Sequence, residues 1–302
     1  MDRLSRRNFL KAAGIGAAAA VGGSALAPGL SSASLLSPSR SELPSTRPRR
    51  GGTLSVGFIG GSSSDTLNPM SPVANVDYAR VNNLFDPLVR MTTEGRPVLA
   101  LAEEIEPNKD ATTWTVRVRS GVTFHNGKEL TAEDVLHTFQ SILNPKSPGE
   151  AASSLSLLNT REMRRLDRYT ARLPFKQPYG TFLQVLSTQI APYIIPVDFD
   201  LKHPVETGPF KYKSFTPGVQ STFLRNDNYW KSGLPYADRL VMTDYGDELA
   251  QANALVSGEE NLISGLSTDV LSELKDAGKT LLISDGGGWN PFTMRVDSAP
   301  FN

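Results

Sequence analysis

The stretch WTVRVRSGVTFHNGKELTAEDV, residues 114–135, contains the densest succession of local structural signals in the chain. Apolar and polar side chains alternate over Trp114–Arg119, which predicts a half-buried β-strand. Ser120-Gly121 interrupts that strand, and His125-Asn126-Gly127-Lys128 predicts a tight turn. Thr131 then occupies a favourable N-cap position, and two acidic residues follow in the first helical turn. The stretch therefore predicts a strand, a turn and a helix in immediate succession.

Strands and helices continue to alternate on both sides of this stretch. Leu54, Val56 and Phe58 alternate with small residues in a first strand, and residues 76–85 predict a helix that Asp86-Pro87 ends. Further strands are predicted over residues 161–166, 169–173, 210–215, 222–225, 239–243, 261–263, 281–283 and 292–296, and further helices over 131–143, 179–186, 248–256 and 268–276. This order predicts an α/β fold with a second domain inserted into the first.

A loop rich in Gly, Ser, Asp and Asn follows the first predicted strand, over residues 60–69. Such a loop offers backbone N–H groups and short polar side chains to a ligand. The succession of strand, polar loop and helix is a common ligand-binding arrangement in α/β proteins. An ordinary polar turn is the alternative interpretation of the same residues.

The N-terminus carries an export signal. Ser5-Arg6-Arg7-Asn8-Phe9-Leu10-Lys11 matches the twin-arginine pattern, and an Ala/Gly-rich apolar stretch follows over residues 12–27. As a helix that stretch would span about 24 Å, which is short of the hydrocarbon core of about 30 Å. We therefore expect a signal peptide over residues 1–33 and a disordered linker over 34–50, with export by the twin-arginine translocase. Two cleavage sites remain open, one after Ala27 and one after Ala33.

Composition excludes several classes of function. The chain has no cysteine, which excludes a disulfide framework, a thiolate zinc site, a thiol nucleophile and a lipid anchor on cysteine. Residues 1–50 hold eight Lys/Arg against two Asp/Glu, whereas the remainder holds 23 against 29. The part after the signal is thus mildly acidic, which argues against nucleic acid as a partner. We expect a soluble exported protein, periplasmic or extracellular, without a lipid anchor.

The sequence shows no pattern of catalytic or metal-binding residues. The three histidines, His125, His137 and His203, are too far apart for a helical metal-binding pair, and each is expected to be solvated or bonded locally. There is no Gly-x-Ser-x-Gly elbow, and the glycines at 286–288 lack a following Lys-Ser/Thr. The sequence therefore predicts no enzyme, no metal and no cofactor. A secreted α/β hydrolase that assembles its catalytic groups only in space is the alternative.

Several segments taken together resemble one family, the extracytoplasmic solute-binding proteins of ABC importers, family 5, the dipeptide/oligopeptide/nickel-binding type. The run from Trp114 to Val135 is the most specific of these segments. Glu206 and Asn261 are departures, because a Gly often stands at the first position and an acidic residue at the second. The other matching segments follow in the family's order: Gly52-Thr53-Leu54-Ser55-Val56, Asp65-Thr66-Leu67-Asn68-Pro69, Leu84-Phe85-Asp86-Pro87-Leu88-Val89, Thr207-Gly208-Pro209-Phe210, Tyr229-Trp230, Tyr236-Ala237-Asp238 and Leu255-Val256-Ser257-Gly258-Glu259.

The resemblance implies a type II periplasmic-binding-protein-like fold, in which a mixed-sheet domain receives an inserted α+β domain. It places the first domain at residues 51–89 and 204–288 and the inserted domain at 90–203. Family members continue through a further domain, of which residues 289–302 would be only the start. The resemblance thus implies a chain truncated at its C-terminus, with the third lobe largely missing.

The resemblance also implies a function and a site. It implies a binding protein that closes two lobes over oligopeptides or a similar small solute and delivers it to the permease subunits of an ABC importer. The remaining alternative is a truncated chain without activity. Trp289 has a second interpretation, as a packing residue at the hinge. The implied ligand contacts lie at strand ends of the first domain and near the crossover to the third lobe: Ser62, Ser63, Asp65, Asn68, Gly288, Trp289 and Asn290.

Overall fold

The computed structural model describes residues 48–282, which contain two principal β-sheets, a short hairpin and five α-helices. A single 3-10 turn covers Glu150–Ala152. The elements of this part follow in chain order: β1 (Thr53–Ile59), α1 (Asn75–Leu84), β2 (Val89–Met91), β3 (Pro97–Leu99), β4 (Ala102–Pro107), β5 (Thr113–Val118), α2 (Ala132–Ile142), β6 (Arg164–Arg165), β7 (Thr170–Pro174), α3 (Phe182–Val185), β8 (Phe210–Thr216), β9 (Gln220–Arg225), β10 (Arg239–Tyr245), α4 (Glu248–Ser257), β11 (Leu262–Ile263) and α5 (Thr268–Asp276).

The first sheet is mixed and contains five strands in the order β11-β1-β10-β9-β8. β1 pairs in parallel with β10 and with β11, whereas β8, β9 and β10 pair antiparallel with one another. Val56 and Phe58 of β1 are buried, in agreement with the predicted alternation. Helix α1 contributes Val76, Val81 and Leu84 to the same core. The parallel strands with their helices confirm the predicted α/β class.

The second sheet is antiparallel, in the order β4-β5-β7-β6, and β5, which contains Trp114, is one of its two central strands. Trp114, Val116 and Val118 alternate inward and are buried, as predicted for this strand. Thr131 is the N-cap of α2, and its backbone N–H donates to Asp134 Oδ2 at 2.8 Å. This bond satisfies a donor that the start of a helix would otherwise leave unpaired.

The two sheets have separate hydrophobic cores. The core under the antiparallel sheet includes Trp114, Phe139 and Phe182, whose rings meet edge-on or tilted. The core under the mixed sheet includes Phe85 and Phe223. A third, smaller cluster lies between α4, α5 and β11. The chain therefore builds two compact layers, and the packing of each is decided by its own apolar side chains.

A buried carboxylate holds the connection between the two sheets. We call residues 84–89 the joint, because they leave α1 and enter β2. Asp86 in the joint is fully buried and accepts hydrogen bonds from Arg90 Nη2 at 3.0 Å, Tyr229 Oη at 3.1 Å and Trp230 Nε1 at 2.9 Å. Two chain segments, residues 86–90 and 229–230, therefore meet at one charge, which explains why the Asp-Pro and Tyr-Trp segments occur together.

His125 makes a long-range contact that the sequence analysis did not foresee. Its Nδ1 lies 2.9 Å from Glu206 Oε2, and its Nε2 lies 3.0 Å from the carbonyl oxygen of Gly208. The side chain is only 6% exposed, so the expectation of a solvated or locally bonded histidine was wrong. His203 does bond locally, to Asp200 three residues earlier. Glu206, the departure from the family pattern, is thus the partner of His125.

Other differences from the predicted elements are small. The helix expected over residues 179–186 is only the short α3, whereas α5 covers the predicted residues 268–276. Leu281 and Leu282 form no strand, while Ile283 and the strand predicted over 292–296 lie outside the described residues. Within residues 48–282, no helix is both long and apolar enough to cross a membrane.

Candidate functional site

The three parallel strands of the mixed sheet end at one edge. Because β1, β10 and β11 run in the same direction, the loops after them lie next to one another. We call this surface the carboxyl edge and define it as residues 60–68, 246–247 and 264–267. In α/β sheets ligands bind in the crevice outside the carboxyl ends of such strands. The carboxyl edge is therefore the first place to seek a binding surface.

A glycine allows these strands and α4 to approach closely. A side chain on Gly57 of β1 would lie 3.0 Å from the ring of Tyr245 and 3.2 Å from both Gln251 and Ile263. Gln251 is buried, and its Nε2 donates to the carbonyl oxygens of Gly57 at 2.8 Å and Ser264 at 3.0 Å. The loop after β11 is thereby fixed against β1.

The first two predicted site residues lie exposed on the carboxyl edge. Ser62 and Ser63 both face solvent in the loop after β1. The backbone N–H of Ser62 donates to Asp65 Oδ1 at 2.8 Å, and the hydroxyls of Ser62 and Ser64 are 2.7 Å apart. A short turn closed by an aspartate therefore presents two serines to the outside.

Asp65, the third predicted site residue, belongs to a buried ion-pair cluster. The guanidinium of Arg80 lies 2.8 Å from Asp65, 3.0 Å from Asp77 and 2.6 Å from Asp244. Its Nε donates to the Ser221 hydroxyl at 3.0 Å. The four charged side chains are almost completely buried. We call these four residues the Arg80 cluster; it ties the loop after β1 to α1 and to β10.

In the Arg80 cluster, burial raises the pKa values of Asp65 and Asp244, whereas the charge of Arg80 lowers them. Burial raises the pKa of Asp65, but hydrogen bonds from Arg80 and from the Ser62 N–H outweigh burial and leave that pKa lowered. Burial dominates at Asp244, so its pKa is raised although Arg80 opposes the rise; the Asp65 charge adds to it. Asp65 and Asp244 face the same guanidinium, and their pKa values are shifted in opposite directions.

The remaining predicted site residues contribute less to the surface. Asn68 is partly buried and makes local bonds: its Oδ1 accepts from the Met70 N–H, and its Nδ2 donates to Ser71 Oγ. These bonds shape the turn before α1. Gly288, Trp289 and Asn290 lie outside the described residues, so their role as ligand contacts stays a prediction.

Sequence reasoning missed the cation that organises this edge. The buried positions of α1 are Val76, Asp77, Arg80, Val81 and Leu84. Their spacing of three and four residues places Asp77 and Arg80 on the apolar face of the helix. Charged residues on the apolar face of a helix are rarely buried without charged partners. The positions of Asp77 and Arg80 in the sequence therefore indicated a buried ion pair. The partner Asp244 could not be found this way, because it is 164 residues away.

The described residues offer no arrangement for a metal ion. Among residues 48–282, no group of three or more His, Asp or Glu side chains is placed so that it could hold a metal. The carboxyls that do come together, in the Arg80 cluster, already face a guanidinium. The exposed polar groups of the carboxyl edge include the hydroxyls of Ser62 and Ser63 and the carboxylate of Asp247, which accepts from the Ala250 N–H.

Comparison with known proteins gives consistent matches. The family described as "Bacterial extracellular solute-binding proteins, family 5 Middle" matches residues 96–302. The oligopeptide-binding protein AppA of Bacillus subtilis (strain 168) is 30% identical over 235 residues, which are 74% of this chain and 42% of AppA. The chain thus spans less than half the length of that relative.

Solved structures agree with these matches. The structure of AppA from Bacillus subtilis in complex with a nonapeptide matches 76% of this chain and 47% of its own, with a TM-score of 0.67 and 28% identity. The structure of AgaA from A. tumefaciens in complex with agropinic acid matches 74% and 46%, with a TM-score of 0.68 and 27% identity. The fold is that of the periplasmic binding proteins, and this chain belongs to the bacterial extracellular solute-binding proteins, family 5.

Proposed function

We propose that this chain is the extracytoplasmic binding component of an ABC importer that takes oligopeptides or a similar small solute and performs no covalent chemistry. The carboxyl edge carries this proposal, because Ser62 and Ser63 stand exposed on a base that the Arg80 cluster fixes. A polar contact surface with a rigid support is what a binding site requires. The nonapeptide bound to AppA and the agropinic acid bound to AgaA support a small polar solute.

The same proposal covers the division of the chain into domains, its export and its delivery of the solute to the permease. We assign the first domain to residues 51–89 and 204–288 and the inserted domain to 90–203. The mixed sheet, built from residues 53–59 and 210–263, and the antiparallel sheet, built from 102–174, support this division. Export by the twin-arginine translocase and delivery to permease subunits follow from the signal at the N-terminus and from the family.

The hydrolase alternative gains no support from the part of the chain that the structure describes. His137 Nε2 and Ser141 Oγ are 3.5 Å apart within one helix, at the outer limit of a hydrogen bond. Asp65 and Asp244, the close pair of carboxyls, are almost completely buried around Arg80 and leave no room for a substrate. His125 is occupied by Glu206 and Gly208.

Isothermal titration of the 302-residue chain with defined peptides of three to nine residues tests the proposal. We expect saturable binding, and mass spectrometry of the recovered peptide should show it intact. The variant Ser63→Tyr places a bulky ring on the carboxyl edge and should weaken binding roughly tenfold or more. The matched control Ser153→Tyr makes the same change at an exposed serine beside the 3-10 turn and should leave the affinity unchanged.

Three results would count against parts of this proposal. Absence of binding across a broad set of peptides would overturn the peptide class. Equal affinity of Ser63→Tyr and the unmodified chain would overturn the assignment of the carboxyl edge. Cleaved peptide in the recovered sample, in proportion to protein and time, would reinstate the hydrolase.

A further inference from the structure

A cavity of about 570 Å³ opens at the opposite edge of the mixed sheet. Thr53 and Leu54, at the amino end of β1, form part of its wall. The segment from Leu234 to Ala237, which leads into the amino end of β10, forms another part. Because β1 and β10 are parallel, both amino ends lie at the edge away from Ser62 and Ser63. The cavity is therefore separate from the carboxyl edge.

The lining of this cavity combines apolar side chains with positive charge. Leu54, Phe210 and Tyr236 are among the residues that provide apolar surface. Arg90 and Lys231 line the same space, together with Arg49, and no Asp or Glu of residues 48–282 is part of the lining. Its volume falls within the range of about 300–1,000 Å³ that is usual for small-molecule sites.

Arg90 has a donor that no described residue uses. Its two terminal nitrogens donate to Asp86, to Asn82 and to the carbonyl oxygen of Phe85. Its Nε is buried and has no partner among residues 48–282. Within residues 48–282, Asp86 is the one carboxylate bonded to Arg90, and it is shared with Tyr229 and Trp230. One N–H of a charged group is thus left unsatisfied, which is costly unless a ligand accepts it.

Lys231 lies in a surplus of positive charge. Its ammonium stands over the Trp230 ring at 4.8 Å, and the guanidinium of Arg119 contacts the same ring at 5.4 Å. None of the carboxylates in residues 48–282 forms an ion pair with it. Burial lowers the pKa of Lys231, and the charges of Arg90 and Arg119 lower it further, while Asp86 opposes them. An added negative charge here would be stabilised by cations that have too few partners.

We propose that this cavity is a second ligand site, which binds a small organic carboxylate with an apolar or aromatic body. The carboxylate of the ligand is attracted by Arg90 and Lys231, the two cations that line the cavity, and accepts a charge-assisted hydrogen bond from the Lys231 ammonium. The body of the ligand packs on Leu54, Phe210 and Tyr236. A phosphate would leave oxygens unpaired against this apolar wall, whereas a carboxylate on an apolar body satisfies both parts of the lining.

Two probes with the same apolar body, one charged and one neutral, separate the contribution of the cations to binding from that of the apolar wall. We suggest titrating the 302-residue chain with 3-phenylpropanoate and with its neutral amide, 3-phenylpropanamide, by calorimetry. The acid should bind saturably, and the amide should bind about tenfold more weakly because it cannot form charge-assisted bonds. Lys231→Gln should reduce affinity for the acid about tenfold, while Lys231→Arg should retain most of it. Lys213→Gln, at an exposed lysine on β8, is the control and should change nothing.

Each outcome decides the proposal. Equal affinity for acid and amide would overturn it, because the cations would then contribute nothing. Unchanged affinity of Lys231→Gln for the acid would also overturn it, because any binding seen would be located elsewhere, including at the carboxyl edge. Circular dichroism melting of Lys231→Gln shows whether the variant is folded, and Lys231→Arg retains the charge if that variant is unstable.

Discussion

Glu206 places a buried carboxyl group in the contact between His125 and the segment that leads into β8. The position is fully buried, and its carboxylate faces His125 across 81 residues of chain. His125 Nε2 must donate, because its neighbour is the carbonyl oxygen of Gly208. One proton therefore lies between His125 Nδ1 and Glu206 Oε2, on either side. Glu206 Oε1 has no partner among the described residues, so the carboxyl carries an uncompensated desolvation cost.

This cost predicts a pH dependence of stability. Burial raises the pKa of Glu206 above its usual value of 4.5, and His125 offsets the rise only in part. A raised carboxyl pKa favours the folded state below the unfolded pKa. That contribution is lost as the pH rises from about 4.5 through the folded pKa, with a slope of at most about 1.4 kcal/mol per pH unit. Glu206→Gln keeps a donor for His125 and removes the titration.

Urea unfolding between pH of about 4 and about 8 measures the effect. We expect the free energy of unfolding of Glu206→Gln, relative to the unmodified chain, to increase with pH across this window. Glu103→Gln makes the same change at a carboxylate that is largely exposed on β4, and its relative stability should stay flat. Parallel curves for Glu206→Gln and the unmodified chain would show that the His125 contact compensates burial fully.

Between α1 and the segment that leads into β8, a single glycine decides how closely the elements pack. The Gly208 N–H donates to the carbonyl oxygen of Leu84 at 2.8 Å. Its own carbonyl oxygen accepts from His125 Nε2 and from Asn226 Nδ2, both at 3.0 Å. A side chain at this position would lie 2.4 Å from the backbone of Leu84. The end of α1 is therefore bound directly to backbone, and no side chain can be inserted there.

Gly208→Ala should destabilise the chain, because the added methyl group meets backbone atoms that cannot rotate away. We expect a loss of about 1–3 kcal/mol or more in the free energy of unfolding, measured in urea. Gly180→Ala is the control, since nothing lies within 4 Å of the position its methyl group would take. That control should be neutral or stabilising by about 0.4–1 kcal/mol. A loss below about 0.5 kcal/mol for Gly208→Ala would show that α1 shifts at little cost.

Elements with a strong local signal were predicted correctly. The strand at Trp114 and the cap at Thr131 depend on neighbours along the chain, and both are confirmed. The helix α4 likewise ends at a local signal, the left-handed C-cap Gly258 with a φ of 85°. The helix over 179–186 was predicted too long, because only Phe182–Val185 is helical. Local rules thus predict where elements lie better than how long they are.

On the scale of the whole molecule, the site could be predicted only in part. Sequence order identified the loop after β1, where Ser62 and Ser63 are indeed exposed. It could not show that Asp65 is buried against Arg80, because that contact needs the mixed sheet to bring α1, β9 and β10 together. The order of the strands decides which distant charged residues come together. The family resemblance implied that order, but it did not indicate that Arg80 pairs with Asp65 and Asp244.

The joint between the two sheets depends on one charge and so provides a test of how the cores cooperate. Asp86 compensates Arg90 and binds both Tyr229 and Trp230. Asp86→Asn removes the charge and turns an amide N–H toward one of three donors. We expect a loss of roughly 2–4 kcal/mol in the free energy of unfolding, because Arg90 is left without a counter-charge. The loss should appear in urea unfolding followed by fluorescence, to which Trp230 contributes from its contact with Asp86.

Two probes distinguish a weakened joint from a weakened core. In the unmodified chain, far-ultraviolet circular dichroism and fluorescence should give coincident transitions, because the joint and Met70, which packs against both cores, couple the two cores. In Asp86→Asn the fluorescence transition should come at lower urea than the circular dichroism transition. Asp227→Asn alters a largely exposed aspartate in the same loop, which pairs with Arg225, and should cost less than about 0.5 kcal/mol. If Asp86→Asn keeps the transitions coincident and costs no more than this control, apolar packing of the joint holds the sheets together without the buried charge.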